Sequence, residues 1–427
     1  MNGGRNLALG VLLASALIGG CAATPPAYGP GWSAVHADAA NSDFSPVSVG
    51  DDLALAWSRD FPGAINLGVT AGPDGRLYVT TGGADCRLHV LDPHTGKTLW
   101  CDRELDAYAI ASSPLIDGQG RAFLADGTAM RAYAPDGKLL WKTPIVGFPL
   151  SAQFTPKGRL VFITHIGRIY VLRRDTGEPV MTPVELTPGA GFDPSKGGRA
   201  CMRGLPECPS ANTPAIDLST GRLFFTYWTP GAASAGIRAM RIEEGVVTTI
   251  TPLWVNESLP SGSASSPDIS ADGSRVYLTD NAGGLHALDA ATGRDIWSFP
   301  IGFESGGSPS TSPDGIIMPS GGGRGGLLAV KDQGASAELL WRNDALVNRG
   351  VPTQAAGGRA YAAVDAGGRA NDLLVVDTRT GAILDRERLP GTTVFTVGTT
   401  VGQDGTVYVP TIRGQLFAFR AGPKRAR

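Results

Sequence analysis

The sequence predicts an all-β fold, an eight-bladed β-propeller whose blades are four-stranded antiparallel sheets. The first observation is a short β-forming run after a glycine, as in GRLYVTT and GRLVFIT, which returns eight times. Repetition of one unit is typical of propellers and solenoids, in which each unit buries its apolar face against its neighbours. The eight glycines are Gly75, Gly120, Gly158, Gly221, Gly273, Gly315, Gly358 and Gly405.

The second observation is a turn that separates these runs and is followed by a bulky residue, as in LDPHTGKTLW and LDAATGRDIW. Thr-Gly and Asp-Gly dipeptides suit hairpin turns because glycine adopts positive φ without a steric penalty. Each unit is therefore predicted to hold four antiparallel strands, with the glycine-led run second and the tryptophan on the fourth. The residues at the tryptophan position are Trp100, Trp141, Met181, Trp254, Trp297, Trp341 and Asp385.

The third observation concerns the two ends of the repeat. The last copy stops at Arg420 with no tryptophan strand after it, whereas LALAWSRDF, which carries Trp57, precedes the first full unit. We expect this N-terminal strand to complete the eighth blade, so that the N- and C-terminal segments pair. Closure removes the unpaired sheet edges that favour aggregation. The propeller is predicted to span residues 51–421, with a basic tail at 422–427.

Composition and charge narrow the class of partner. The 427 residues carry a formal net charge of −2, which gives no electrostatic reason to expect nucleic acid. A propeller grows by adding blades, so this length is compatible with one monomeric ring rather than several ordinary domains.

The first twenty residues have the order of a secretory signal peptide: Arg5, an apolar run and then small residues. The sequence IGGC at 18–21 resembles the bacterial lipobox, in which cleavage precedes a cysteine that becomes acylated, for example with palmitate. We therefore predict a signal peptide at 1–20 and a lipid anchor on Cys21. An ordinary cleaved signal, in which Cys21 is incidental, is the alternative.

Residues 21–50 are predicted to form a lipid-anchored stalk and then a segment that docks on the ring through Trp32 and Phe44. The predicted location is the periplasmic face of the outer membrane in a Gram-negative organism, because Ala22 follows the cysteine. In another organism we expect the outer face of the cell membrane. Acyl chains in combination give lasting attachment.

Four further cysteines fall into two local pairs, which predict two disulfides in an exported chain: Cys86 with Cys101, and Cys201 with Cys208. Metal binding is the weaker interpretation, because no Cys-x-x-Cys occurs and the five histidines show no ligand spacing. His165, in a predicted turn, is interpreted as an ordinary packed or exposed imidazole.

One interval breaks the even spacing of the blades. From Met181 to Trp254 the gap is 73 residues, where four other intervals are between 41 and 44. The excess divides between residues 186–210, before blade 4, and a stretch within blade 4. A long disulfide-pinned loop is typical of a recognition surface, although a staple against proteolysis is an equal alternative. The partner-binding candidates are Phe192, Lys196, Arg199, Arg203 and Asn212.

The predicted innermost strands contain few side chains that could transfer protons or bind a metal ion. They carry small hydroxyl residues and prolines, as in SSP at 112–114 and 265–267, with no inward cluster of carboxylates or arginines. Such a lining is unsuited to proton transfer or metal binding. We predict no catalytic, cofactor-binding or metal-binding residue, and we lean against an enzyme. Binding of a glycan or small ligand by the polar channel is an alternative function.

The LDxxTGxxxW pattern resembles that of the pyrroloquinoline-quinone-like repeat propellers. One branch of that family contains eight-bladed quinoprotein dehydrogenases, which hold the quinone and a calcium ion, and whose opening segment is similar to residues 32–61. The other branch contains lipid-anchored scaffolds of the BamB type, which bind partner proteins of outer-membrane assembly without a cofactor. The chain lacks the vicinal cysteine pair of the dehydrogenases. The resemblance therefore implies a membrane-tethered, protein-binding scaffold without a cofactor, with an atypical quinone-dependent dehydrogenase as the alternative.

Overall fold

Eight antiparallel sheets make up nearly all of the regular structure in the computed structural model, which describes residue 1 and residues 27–210, 212–367 and 370–422. Seven of the sheets each contain four strands that are consecutive in the chain, and the eighth contains three. The innermost strands of successive sheets contact each other, as expected for blades arranged around an axis. The predicted all-β, eight-bladed propeller is confirmed.

Two strands precede the first blade: β1 (Phe44–Ser45) and β2 (Leu53–Asp60). Blade 1 consists of β3 (Thr70–Ala71), β4 (Leu77–Thr80), β5 (Leu88–Leu91) and β6 (Thr98–Asp102), and blade 2 of β7 (Leu115–Ile116), β8 (Ala122–Ala125), β9 (Ala129–Tyr133) and β10 (Leu139–Pro144). Blade 3 consists of β11 (Gln153–Phe154), β12 (Leu160–Ile163), β13 (Arg168–Leu172) and β14 (Val184–Glu185), and blade 4 of β15 (Ala215–Asp217), β16 (Arg222–Tyr227), β17 (Ala235–Glu244) and β18 (Thr248–Leu259).

Blade 5 consists of β19 (Asp268–Ile269), β20 (Arg275–Thr279), β21 (Gly284–Asp289) and β22 (Asp295–Pro300), and blade 6 of β23 (Ser310–Thr311), β24 (Ile316–Met318), β25 (Gly326–Asp332) and β26 (Ala337–Val347). Blade 7 consists of β27 (Thr353–Ala355), β28 (Arg359–Asp365), β29 (Asn371–Asp377) and β30 (Ile383–Leu389). Blade 8 consists of β31 (Thr400–Val401), β32 (Val407–Pro410) and β33 (Gln415–Ala421), with β2 as its outer strand. Short helices lie at Ala107–Ala111, a 3-10 turn, and at Gly198–Cys201, which is α1.

The ring closes as the two ends of the repeat predict. Strand β2 pairs antiparallel with β33, from Leu53 opposite Ala421 to Asp60 opposite Gln415. The N-terminal strand thus supplies the fourth strand of blade 8 and removes an open edge.

In five blades, the glycine of the turn between the third and fourth strands fits against the tryptophan of the preceding blade. The indole of Trp57 in blade 8 donates to the backbone oxygen of Pro93 in blade 1 at 2.9 Å. A Cβ at Gly96 would lie 2.7 Å from the same indole, so no larger residue fits beneath it. This contact explains why the two features repeat together. Equivalent pairs are Trp100 with Gly137, Trp141 with Gly177, Trp254 with Gly293, and Trp341 with Gly381.

The two faces of the ring carry different connections. Because strands alternate in direction, the turns between first and second strands and between third and fourth strands lie on one face. The turns between second and third strands, and the connections between blades, lie on the other. We call the first the plug face and the second the insertion face, after the segments that cover them.

Residues 28–45, which we call the plug, wind across the ends of the inner strands on the plug face. Backbone N–H groups of Ala71, Ile116 and Thr311 donate to plug carbonyls at 2.8 Å. The inner strands of blades 4, 5 and 7 make the same kind of bond. Blade 3 bonds through the side chain of Gln153, and blade 8 through that of Gln403. All eight blades therefore hold the plug.

The plug is folded tightly and is largely buried. Ala37, Asn41 and Asp43 adopt positive φ, which is uncommon for residues other than glycine. Trp32 is 1% exposed and packs in the core between blades 8, 1 and 7. Strand β1 pairs parallel with β27, so that Phe44 lies on blade 7.

Contact with the ring begins at Ala27, upstream of the residues expected to dock. A Cβ on Gly158 in blade 3 would lie 3.3 Å from the Cβ of Ala27. The predicted signal peptide at 1–20, the lipidation site Cys21 and tail residues 423–427 lie outside the described residues. Within the described part of the chain, no helix has the length and apolar character needed to cross a membrane.

Candidate functional site

The insertion, residues 186–213, connects the outer strand of blade 3 to the inner strand of blade 4 and lies on the insertion face. Apart from Ala211, which is outside the described residues, it forms turns and the single turn of α1. The ring anchors it at two distant places, so its shape depends on contacts with the blades rather than on its own secondary structure.

A stack of three aromatic rings supports the first half of the insertion. Tyr108 stacks on Phe148 with ring centroids 4.6 Å apart, and Phe148 stacks on His165 at 3.8 Å. The three residues come from the connections before blades 2 and 3 and from a turn of blade 3. The Tyr108 hydroxyl donates to the backbone oxygen of Ser195 at 2.8 Å. This platform therefore reaches from three parts of the ring to one point of the insertion.

His165 bonds to the insertion as a neutral imidazole. Its Nδ1 accepts from the backbone N–H of Phe148 at 3.2 Å, which leaves Nε2 to donate to the backbone oxygen of Lys196 at 2.9 Å. The ring is fully buried. Burial lowers the pKa of His165 from its ordinary value of 6.5 to about 4, because the charged form would lose its hydration. Protonation would turn Nδ1 into a donor that can no longer accept from Phe148, so the neutral imidazole is the form that fits this site.

The Cys201–Cys208 disulfide closes the second half of the insertion, as predicted, with the two Cα atoms 5.0 Å apart. Both cysteines are buried against Phe148. Two glycines permit close approach of the backbone here. A Cβ at Gly197 would overlap the carbonyl oxygen of Glu207, and one at Gly204 would overlap that of Ser263 in the connection before blade 5. Both glycines have positive φ, so the fold of this segment requires them.

The far end of the insertion reaches blades 5 and 6. The Asn281 side chain donates to the backbone oxygen of Arg203 at 2.7 Å, and the Arg203 guanidinium pairs with Glu304 at 3.2 Å. The insertion therefore spans from the connection before blade 2 to the connection before blade 6. It is a fixed surface over this side of the insertion face.

The predicted partner-binding residues divide into three groups. Lys196, Arg199 and Arg203 are exposed and lie within eight positions of one another in the ordered part of the insertion. Lys196 pairs with Asp193 at 3.3 Å, whereas Arg199 has no ion-pair partner among the described residues. Phe192 is half-buried. These four residues remain candidates for contact with a partner.

Asn212 does not fit the same surface, and its inclusion was wrong. Its side chain is 5% exposed. Its amide donates to the hydroxyl of Thr226 and, at 3.2 Å, to the backbone oxygen of Ser263. Buried amides satisfied by the ring cannot also bind a partner.

Sequence reasoning missed Tyr108, Phe148 and His165, which hold the insertion, and Met202, which is 67% exposed beside Arg203. The aromatic residues lie in three separate connections, and no local pattern signals that they stack. Met202 could have been noticed in the sequence, because it lies between the two paired cysteines and methionine adapts to varied binding surfaces.

The second predicted disulfide, Cys86–Cys101, is also present and joins the start of β5 to β6 within blade 1, with Cα atoms 5.8 Å apart. It lies away from the insertion. It strengthens a blade rather than a surface loop.

The hydroxyl residues predicted to line the channel are buried. Ser112, Ser265 and Thr353, from the hydroxyl-rich inner strands, are each at most 1% exposed. The Thr353 hydroxyl donates to the backbone oxygen of Thr399 at 2.6 Å, and the backbone oxygen of Ser112 accepts from the Thr80 hydroxyl at 3.1 Å. These hydroxyl residues are therefore part of the packing between blades.

The same region does not fit a quinone with a calcium ion. Among the described residues, no three His, Cys, Asp or Glu side chains lie close enough to hold a metal. Asp38 and Asp43 of the plug and Asp268 of blade 5 are buried acids of this region, and burial raises the pKa of each carboxyl. Asp43 is already paired with His36 at 2.8 Å. The plug occupies one end of the axis, and no vicinal cysteine pair is present in the sequence.

Comparison with protein families gives a match over most of the propeller. The family described as "Outer membrane protein assembly factor BamB" matches residues 48–190 and 243–426. The chain belongs to this family. The resemblance to BamB-type propellers is thereby confirmed, and the unmatched stretch 191–242 contains most of the insertion.

Two curated relatives extend over nearly the whole chain. Protein Rv3035 of Mycobacterium tuberculosis is 31% identical over 417 residues, which are 94% of this chain and 100% of that protein. The outer membrane protein assembly factor BamB of Burkholderia pseudomallei is 25% identical over 396 residues, 91% of this chain and 87% of that protein.

Solved structures share the propeller fold. BamB from Moraxella catarrhalis has a TM-score of 0.62 at 17% identity and covers 86% of this chain and 99% of its own. The quinohemoprotein alcohol dehydrogenase from Comamonas testosteroni has a TM-score of 0.65 at 16% identity, covering 93% and 81%. At these identities the likeness shows the fold alone, so it does not decide between a scaffold and an enzyme.

Proposed function

We propose that this chain is a protein-binding scaffold of the cell envelope, exported and tethered to a membrane by acylation of Cys21. In this proposal the insertion face captures a protein partner. The tether holds the ring at the periplasmic face of the outer membrane, or at the outer face of the cell membrane where no outer membrane exists. The observation that carries the proposal is a long insertion, fixed by the ring, that presents cations and an exposed methionine.

Family membership supports the class of function. One relative is an outer membrane protein assembly factor by name, and it covers most of this chain. The stretch that departs from the family contains the insertion. A shared ring with a distinct surface is consistent with a scaffold whose partner differs from that of its relatives.

The geometry of the insertion supports the location of the binding surface. The disulfide, the aromatic platform and the contacts of Arg203 hold the segment in one shape, so little conformational entropy is lost when a partner binds. Arginine and methionine are enriched at interfaces. Arg199 and Met202 are exposed on adjacent turns, so we expect a partner with carboxylates around a small apolar patch.

Charge reversal tests this assignment. The lipid-bearing full chain and the double variant R199E/R203E are used to capture proteins from solubilised envelope membranes, and the captured protein is then purified for affinity measurement. We expect the variant to bind at least about tenfold more weakly, about 1.4 kcal/mol. Exposed ion pairs contribute little to folding, so the ring should unfold at the same denaturant concentration.

A matched control reverses two arginines on the opposite face. Arg173 and Arg379 have 57% and 71% exposed side chains and lie in turns between third and fourth strands. R173E/R379E should bind the partner within about twofold of the unchanged chain. Equal binding by all three proteins would remove the insertion from the binding surface, and the absence of any specific partner would argue against a scaffold.

We also propose that the chain works without a quinone. Two observations support this: the inner-strand hydroxyl residues are buried, and the described residues include no group of side chains placed to hold a metal ion. Titration of the purified chain with pyrroloquinoline quinone and calcium, followed by absorbance and by dye reduction with alcohols or sugars, should show no saturable change. A stoichiometric spectral change would restore the dehydrogenase alternative.

A further inference from the structure

Blade 4 carries a hairpin that is longer than that of any other blade. Strands β17 and β18 have 10 and 12 residues and pair up to Glu244 opposite Thr248. The third strands of the other blades have between 4 and 7 residues. The tip consists of Gly245, Val246 and Val247, and both valine side chains project into solvent, with 107% and 70% exposure.

The ring braces this hairpin on the plug face. The Glu244 carboxylate accepts from the Thr155 hydroxyl at 2.7 Å and from the backbone N–H of Lys157 at 2.9 Å. Arg159 contacts the carboxylate of Glu244 and the hydroxyl of Thr248. The valines therefore stand on a fixed support beside the first turn of blade 3.

The continuous described segment of the chain begins at the same place. Gly158, in the turn that carries Lys157, lies against Ala27, the first residue of the continuous described segment. Cys21 precedes Ala27 by six residues, which reach at most about 20 Å when extended. An acyl chain on Cys21 would therefore place the membrane close to the valine tip.

We propose that Val246 and Val247 insert into the lipid interface and turn the plug face toward the membrane. This rests on the tether of the proposed function and adds an orientation to it. Exposed aliphatic side chains gain by entering the boundary of the acyl region, and a tip without charged groups enters without burying a charge. With this second contact the ring cannot rotate freely on its anchor, and the insertion face is directed away from the bilayer toward a partner.

The test attaches the chain to vesicles chemically, so that it does not depend on acylation in the cell. Cys21 of the mature chain is coupled to maleimide lipids in phosphatidylethanolamine and phosphatidylglycerol vesicles; the other four cysteines are paired in disulfides. Amide hydrogen exchange is followed by mass spectrometry. We expect exchange at residues 245–248 to slow about tenfold on attachment, while residues 202–206 are unchanged.

Two variants isolate the contribution of the valines. V246S/V247S should remain attached and lose the protection at the tip. V146S removes a 38%-exposed valine of the insertion face and should keep the protection, which controls for loss of an exposed apolar group. Unchanged exchange at the tip of the attached chain would overturn the proposal.

Other occupants of the tip give different results. Protection of the tip that rises with protein concentration without vesicles would indicate a second copy of the chain and overturn the membrane contact, as would protection induced only by the captured partner. The mass of the N-terminal peptide from cells reports acylation separately. A mass without acyl chains would contradict the tether of the proposed function. The exchange experiment decides separately whether the valine tip contacts the membrane.

Discussion

The plug and the insertion are both long segments with little regular secondary structure, yet the ring holds them in opposite ways. The plug bonds to backbone groups of six blades and to the side chains of Gln153 and Gln403 in the other two, and its Trp32 side chain lies in the core. The insertion touches the ring at separate points along its length, such as Lys196 and Gly204, and leaves Arg199 and Met202 in solvent. The first segment is therefore part of the fold, and the second is a surface that can change without rebuilding the fold.

Backbone bonding explains this difference. Inner strands that end at the axis have N–H groups which cannot pair with another blade, and the plug carbonyls satisfy them. The amide of Asn41 adds bonds to Thr213 and Pro267 at 3.1 and 3.0 Å. Removal of the plug would leave buried donors without acceptors across several blades at once. Opening the insertion would not leave a comparable set of buried donors without acceptors.

The largest expected effect tests the plug. Trp32→Ala removes a buried indole whose surroundings are fixed by three blades, so we expect the free energy of unfolding to fall by about 3–5 kcal/mol. Met202→Ala, on the insertion, should change it by less than about 0.5 kcal/mol. Denaturant unfolding followed by far-UV circular dichroism measures both. A similar, small effect for both variants would mean that the plug is as peripheral as the insertion.

The second prediction uses pH to release the insertion without touching the plug. The folded-state pKa of His165, about 4, lies below its ordinary value of 6.5. The neutral imidazole therefore contributes its full stabilisation above pH 6.5, and this contribution is lost as the pH falls toward 4. The total is about 3 kcal/mol, and it acts on the local opening of the insertion. Hydrogen exchange of residues 195–205 between pH 7 and 4.5, corrected for the intrinsic rate, measures it.

His165→Gln provides the control for this pH effect. Glutamine can donate from its amide to the Lys196 oxygen but does not titrate, so opening should become nearly independent of pH. Asp193 does not confound the range, because its hydrogen bonds to Ser195 lower its pKa to about 2. His89 in blade 1 also has a pKa lowered by burial, to about 4, but it lies away from the insertion. Persistent pH dependence in the variant would assign the effect to another group.

How much the sequence could predict follows from the same comparison. The blades were predictable because each repeats its own local signals, and the contact of Trp57 with Gly96 shows why those signals recur. The plug was only partly predictable. The docking of Trp32 could be predicted because it is a large apolar residue that precedes the repeat. The hydrogen bonds of the plug could not, because they join residues more than a hundred positions apart, such as Tyr28 and Gln153.

The candidate site shows the same limit. The length of the insertion and its cysteine pair were predictable, because both are local properties of the sequence. The platform of Tyr108, Phe148 and His165 depends on which connections meet at the insertion face, and that order becomes visible only in three dimensions. Asn212 was misassigned for a related reason: a polar residue beside a functional loop belongs to the blade that the loop enters.

The smallest expected effect on the whole ring comes from the disulfide of the insertion. C201S/C208S removes a cross-link that closes a short loop, which should favour local opening by about 2–3 kcal/mol in the chain-entropy estimate. Unfolding of the ring should change by less than about 0.5 kcal/mol, because the plug and blades keep their contacts. Limited proteolysis should cut residues 186–210 faster at unchanged ring stability, and partner capture should weaken because an opened surface loses conformational entropy on binding. If the insertion were cut faster but the partner bound with unchanged affinity, the disulfide would be a staple against proteolysis, and the preorganised surface would have to be sought in the platform alone.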